Sequence, residues 1–372
     1  MPKHNAANTR IKREYFDYLK EAMRRDEASI DAVAKALARF ESATAHKDFR
    51  TFHREQAKAF KRRLDAEKNV RTGKPLARAT VHSTLSALKA FFIWLAGQSG
   101  YKSKIAYADA EYFNLSEKDV RIAQASRQKP VPSLDQVHHV LAAMPAGTDI
   151  EKRNRALVAF AILTGARDGA LASLKLKHVN LTEGVVDQDA RDVRTKASKS
   201  FSTWFFPVGG DALQIVTDWC YHLREGLLWG GGDPLFPKTQ IGLGANGGFT
   251  AIGLSREHWS SAGPIRTIFR DAFTAAGLPY FNPHSFRDTL VQLGERTCTT
   301  PESFKAWSQN LGHEGVLTTF TSYGRVSPQR QAELIRGAGR AASVLNPLDD
   351  PDVVELIARI TAKGSGMGQG SL

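Results

Sequence analysis

A chain of 372 residues, 42% hydrophobic and 24% charged, is long enough for two domains with a core each and too apolar for global disorder. Its formal net charge of +13 points to a polyanionic partner, although charge alone does not separate DNA from RNA or an anionic membrane. The opening MPKHNAANTR lacks the apolar stretch of a signal peptide, and no window approaches the roughly 20 apolar residues of a membrane span, so a cytoplasmic protein is expected. Cys220 and Cys298 lack the spacing of a zinc site and are expected as ordinary thiols.

The first 125 residues read as helices. Tyr15, Tyr18, Leu19 and Ala22 trace one apolar stripe, and Ile30, Val33, Leu37 and Phe40 trace another. A third helix, roughly 51 to 68, carries Arg54, Lys58, Lys61, Arg62 and Arg63 around a thin seam of Phe52, Phe60 and Leu64. The fourth starts near Thr80, with Val81, Leu85, Leu88, Phe92 and Leu95 at helical spacing. Residues 1 to 129 hold 27 Lys plus Arg against 15 Asp plus Glu, leaving the remainder nearly neutral. A compact basic helical domain over 1–123 is the expectation.

The sequence IAQASRQKPVPS holds two prolines and no clear period, and predicts a linker over 124–132. Ser133 is placed to cap a helix whose apolar positions are Val137, Val140 and Leu141. The all-round apolar run RALVAFAILTG, 155 to 165, predicts a buried helix ending at Gly165. Between 184 and 208, β-branched and aromatic runs broken by polar turns predict an antiparallel sheet of two or three strands, with Lys196 on or beside its last hairpin. Helical signals return at 211–224 and 263–276, while the glycine-rich IGLGANGGF, 241 to 249, reads as a flexible loop and not a phosphate cradle. Thr300–Pro301 and Ser327–Pro328 read as cap and first turn of two more helices, and a short apolar helix is expected over 351–361 before a disordered tail.

Four short boxes carry chemistry: TGARDGALASL (164–174), RTKASK (194–199), HSFRDTL (284–290) and LGHEGVLTTFTSYG (311–324). Phosphoryl transfer to a protein oxygen spreads negative charge over the non-bridging oxygens, and fixed cationic donors stabilise it. Arg167 follows a glycine turn after the buried helix, and the planar arginine fork binds two phosphate oxygens at once. His284 and Arg287 are three apart and share a face if helical, after an entrance marked by Asn282 and Pro283 that lets both reach into a groove. His313 follows a Leu-Gly turn, and Tyr323, ten residues on, is the candidate nucleophile. Lys196 is the candidate acid for a leaving oxygen, with Lys199 its competitor.

In this order and with these flanking residues, the boxes resemble the tyrosine recombinase family, also called phage integrases, over roughly residues 10 to 345. The resemblance implies a mainly α chain: an N-terminal helical bundle (SAM-like core-binding) domain, and over 133–345 a mostly helical catalytic domain with a small antiparallel sheet, closing as a C-shaped DNA clamp. It implies that Arg167 and Arg287 bind the scissile phosphate. Tyr323 would attack it to leave a 3′-phosphotyrosyl link, Lys196 would protonate the leaving 5′-hydroxyl, and His284 and His313 would hold the phosphate and share protons with the tyrosine. No cofactor, ATP or metal is implied. Three departures stand out: Ala170 replaces a usual acidic residue whose part Asp168 could take, Asp288 replaces a common histidine, and the His313–Tyr323 interval is one residue longer than the commonest spacing.

The same resemblance implies double-stranded DNA with inverted-repeat half-sites as substrate, a homo-tetramer on two DNA sites, DNA-bending accessory proteins as further partners, and a nucleoid-associated location. The 346–372 tail would dock its helix on a neighbouring subunit or on its own domain. Lys58, Arg62, Arg78, Thr80 and Lys89, flanking the third and fourth helices, are the candidate DNA-binding residues. A catalytically silent DNA-binding relative and a type IB topoisomerase-like relaxing enzyme are the alternatives.

Overall fold

Helical periodicity organises the N-terminal part of the chain. The computed structural model describes residues 4–70, 72–125, 130–244, 247–313, 331–333 and 335–336. It divides into two units, Met1–Ser126 and Arg127–Leu372. The first is built of α1 (Ala6–Asp17), α2 (Glu27–Ala43), α3 (Arg54–Ala66), α4 (Arg78–Ala96), the single turn α5 (Tyr107–Ala110) and α6 (Glu117–Gln124). Asn5, Asp26 and Ser116 cap α1, α2 and α6 through their side chains. Helix α1 runs on into a π-helical turn, Tyr18–Ala22. Asn8, Ile11, Tyr15 and Leu19 are buried, while Tyr18, stacked on Tyr15, and Ala22, both expected on the stripe, are exposed.

Aromatic rings fill this unit. Phe40, Phe49, Phe60, Phe91, Phe92 and Phe113 are buried, and Phe52, just ahead of α3, stacks on Phe92 with centroids 3.7 Å apart. The apolar repeat of α4 is wholly buried at Val81, Leu85, Leu88, Phe92 and Leu95. Among the described residues α4 is the one helix long and apolar enough to cross a membrane, where the sequence suggested no such window. Its burial against its neighbours identifies it as a core helix. Helix α6 continues to Gln124, into the start of the expected linker.

In the second unit, α7 (Leu134–Ala143) and α8 (Asp149–Thr164) each open with a reciprocal capping box, Ser133 with Gln136 and Thr148 with Glu151. Every residue of α8 from Ala156 to Thr164 is buried. After the single turn α9 (Asp168–Leu171) come β1 (Val179–Asn180), β2 (Val185–Gln188) and β3 (Phe201–Trp204), an antiparallel sheet in that order with Val186 opposite Thr203. Helix α10 (Ala212–Tyr221) packs on α8.

The glycine-rich segment is not the loop expected from its composition. Strands β4 (Thr239–Leu243) and β5 (Phe249–Leu254) pair as an antiparallel hairpin with an irregularity at Gln240/Ile241. Glycines broke up the alternation by which a half-buried strand is recognised, and Ile241, Leu243, Phe249 and Ile252 are exposed, so no buried face existed to find. Helices α11 (Gly263–Ala275), α12 (Ser285–Thr297) and α13 (Pro301–Asn310) follow, the last capped by Thr300 as expected. Residues 331–333 and 335–336 are helical, as expected after Ser327–Pro328, whereas that cap itself, the 351–361 helix and the tail lie outside the described residues.

Candidate active site

Helix α8 ends at Gly165 in the left-handed conformation, φ 60°. A Cβ there would lie 2.9 Å from Leu311 Cδ2 and 3.0 Å from Leu290 Cδ1, so both backbone and packing require glycine. Its carbonyl accepts a hydrogen bond from Arg287 Nη1 at 2.5 Å. Two residues on, Arg167 occupies the extended position that opens α9, half-buried and carried by the end of the deeply buried α8.

Arg287 lies on α12 and is only 2% exposed. Its Nη2 donates to the Leu311 carbonyl at 2.6 Å and to His313 Nε2 at 2.9 Å. A guanidinium only donates, so His313 accepts through Nε2 and, when neutral, carries its proton on Nδ1. Burial pulls the His313 pKa down from 6.5 to about 4, assisted by the charges of Arg287, Arg167, His284 and Lys196. Residues from the three other boxes thus bear on the imidazole of the fourth.

The turn that presents His313 is seated on the sheet. Gly312 has φ 69°, and a Cβ there would come within 2.6 Å of the Phe201 ring of β3. Thr203 Oγ1 donates to the Asn310 carbonyl at 3.1 Å, and the Trp204 N–H donates to Asn310 Oδ1 at 2.8 Å.

His284 stands at the surface as α12 begins, its backbone N–H donating to Asn282 Oδ1 at 3.0 Å. The HxxR pair therefore divides, with His284 outside and Arg287 within. Lys196 is exposed in a 3₁₀ turn, Lys196–Ser198, between β2 and β3, and Lys199 follows that turn half-buried. Tyr323 lies outside the described residues. Ala170 is 1% exposed, and a carboxylate there would be desolvated. Asp168 instead accepts from Arg266 on α11 at 2.6 and 2.9 Å. Arg266 is 98 positions away in sequence, and nothing in its local pattern flagged it.

In the N-terminal unit the candidate DNA-binding residues gather around one cleft. Lys58, Lys61, Arg62 and Asp65 of α3 line it with Asn114, Ser116 and Asp119. Arg78 joins through its ion pair with Asp65 at 2.6 Å, and Lys89 through hydrogen bonds to Glu111 and Asn114 at 2.8 and 3.0 Å. Lys61, absent from the candidate set, donates to the Asn114 carbonyl at 2.9 Å. Thr80 lies apart, half-buried near the start of α4, its carbonyl accepting from Ser83 and Thr84.

A mostly helical chain with small antiparallel sheets and an arginine–histidine pair held under further cations is a protein of the strand-transferring kind. Residues 133–330 match the family model described as "Phage integrase family", and the chain belongs to that family. It is an enzyme of the tyrosine recombinase type, the class that cleaves and rejoins DNA. It is 26% identical over 262 residues to "Tyrosine recombinase XerC" of Lactobacillus delbrueckii subsp. bulgaricus, covering 69% of this chain and 76% of that relative. Its fold resembles XerH site-specific recombinase bound to palindromic difH substrate, with TM-score 0.57, 16% identity and coverage of 87% of this chain and 84% of that one. It also resembles a lambda integrase tetramer bound to a Holliday junction, with TM-score 0.51, 16% identity and coverage of 88% and 84%.

Proposed function

We propose that this protein is a site-specific DNA recombinase that cuts and rejoins duplex DNA through a covalent 3′-phosphotyrosyl link to Tyr323, with no ATP or divalent metal. The observation that carries this reading is the buried Arg287–His313 pair, on whose imidazole Arg167, His284 and Lys196 also bear. In the cutting step the Tyr323 oxygen attacks phosphorus, the bond from phosphorus to the 5′-oxygen breaks, and Lys196 gives that oxygen its proton. Arg167 and Arg287 disperse the charge on the non-bridging oxygens. His313, with its pKa near 4, stays neutral and acts as a hydrogen-bond donor from Nδ1. Its one lone pair, on Nε2, is already taken by Arg287, which leaves exposed His284 to take the tyrosine proton. Rejoining is the reverse, with a 5′-hydroxyl from the partner strand attacking the phosphotyrosine.

The N-terminal unit, over 1–123 with a linker at 124–132, is assigned to DNA binding through the α3 cleft, and 133–345 to catalysis. The palindromic substrate of XerH and the junction-bound tetramer of lambda integrase support inverted-repeat half-sites and a homo-tetramer on two sites. The test is a nicked suicide substrate carrying the repeats that flank the coding region. Wild-type protein is expected to form a denaturation-resistant protein–DNA adduct, and Tyr323→Phe to bind the site without forming it. A wild type that binds but never forms the adduct would make this chain a silent DNA-binding relative. Site-independent relaxation of supercoiled plasmid would make it a topoisomerase-like enzyme.

A further inference from the structure

The arm that carries Lys196 is clamped at its stem by two side chains that no phosphate chemistry requires. Arg194 donates from Nη1 to the Ser260 carbonyl at 2.8 Å and from Nη2 to the carbonyls of Ala172 at 3.0 Å and Trp259 at 2.5 Å. Its backbone N–H donates to Ser173 Oγ at 2.8 Å, and that hydroxyl donates to the Gly169 carbonyl at 3.1 Å. The approach is close, since a Cβ on Gly169 would lie 3.3 Å from the Arg194 carbonyl oxygen. Asp192 accepts from Lys175 Nζ at 2.8 Å, is ion-paired with Lys177, and faces His178 Nε2 at 3.5 Å. Between them Val193 is sunk in the core at 2% exposure.

Ala172, Ser173, Lys175, Lys177 and His178 belong to the stretch that opens at Arg167, while Trp259 and Ser260, from the segment ahead of α11, hold the guanidinium from its other side. Lys196 is the second residue beyond Arg194, so its Cα stays within about 7 Å of a fixed point. Lys196 is exposed in the connection between β2 and β3, and its placement relative to Arg167 is set by Arg194 and Asp192, two and four residues before it. We propose that Arg194 and Asp192 are positioning residues which lock the Lys196 arm to the Arg167 segment, so that the acid and the phosphate-binding arginine move as one body. This rests on the reading of Lys196 as the acid that protonates the leaving 5′-oxygen.

A leaving group that needs no proton separates positioning from general damage. Replacing the bridging 5′-oxygen by sulfur gives a thiolate whose conjugate acid has a pKa of about 8.5, so departure no longer depends on Lys196. The full-length protein is assayed on suicide substrates of both kinds as wild type, Lys196→Ala, Arg194→Ala, Arg194→Lys and Asp192→Asn, with DNA affinity measured alongside. Arg194→Ala is expected to cut the ordinary substrate about 100-fold more slowly and the sulfur substrate within about threefold of wild type, at unchanged DNA affinity. Arg194→Lys, able to reach fewer of the three carbonyls, should fall between, and Asp192→Asn should show the same rescue with a smaller defect. Equal loss on both substrates, or weakened DNA binding that accounts for the loss, overturns the proposal. If Arg194→Ala does not fold, Asp192→Asn decides by the same criterion. Failure of sulfur to rescue Lys196→Ala instead overturns the acid assignment itself, whatever the stem variants do.

Discussion

Arg287 and His313 form the centre of the site because each is too costly to bury alone. A guanidinium at 2% exposure is tolerated where three acceptors meet it, and an imidazole beside it is tolerated only uncharged. The sign of the resulting pH effect follows. Between pH 6.5 and about 4 the unfolded chain holds a proton on this ring that the folded chain does not, so stability falls as pH drops through that window and levels off below it. Urea unfolding at stepped pH should show this slope, amounting to at most about 3 kcal/mol, and His313→Gln should lack it. The residue types of the site were legible in four short boxes. Their depth was not: HxxR on a helix says two side chains share a face, and only the packing of α12 against Gly165 and Leu311 shows that one goes inside.

The elements that hold the site do so through their ends. Gly165 closes α8, offers its carbonyl to Arg287 and leaves space for Leu290 and Leu311. Gly165→Ala is expected to cost about 1–3 kcal/mol from the left-handed backbone and the close contacts, read as a lowered Tm, and to slow cleavage by displacing Arg287. A melting temperature equal to wild type would show that the end of α8 relaxes freely. Caps and periods made most helices readable: Ser133, Thr300 and the α4 repeat all sit where the pattern put them. What escaped were features that sequence periodicity does not encode. The π-helical turn Tyr18–Ala22 leaves no mark on the apolar spacing, and the β4–β5 hairpin pairs through its backbone with Ile241, Leu243, Phe249 and Ile252 exposed.

At the scale of the whole molecule the charge is unevenly placed, with a net of +12 in residues 1 to 129 out of +13. Many of those cations are already paired, Lys58 with Glu55, Arg78 with Asp65 and Lys89 with Glu111, so binding DNA means exchanging an acidic side chain for a phosphate. The gain is then mainly counterion release, and it depends on salt. Lys61→Ala with Arg62→Ala is expected to flatten the plot of log affinity against log salt by about 2 units if both meet phosphate. An unchanged slope in a filter-binding or anisotropy titration would place the DNA elsewhere. The charge asymmetry was visible in the sequence, whereas the gathering of α3, Arg78 and Asn114 around one cleft required the fold.

One exposed element bears on how the protein behaves in the tube. Residues 239–254 contain no charged side chain, and as a two-stranded sheet β4 and β5 each leave one edge unpaired within that sheet while Leu243 and Phe249 are bare. Natural edges are ordinarily guarded by lysine, proline or a covering helix. The hairpin thus offers a template for strand-by-strand self-association, and replacing Leu243 or Phe249 by lysine is expected to raise the concentration the protein reaches before it associates, read by light scattering.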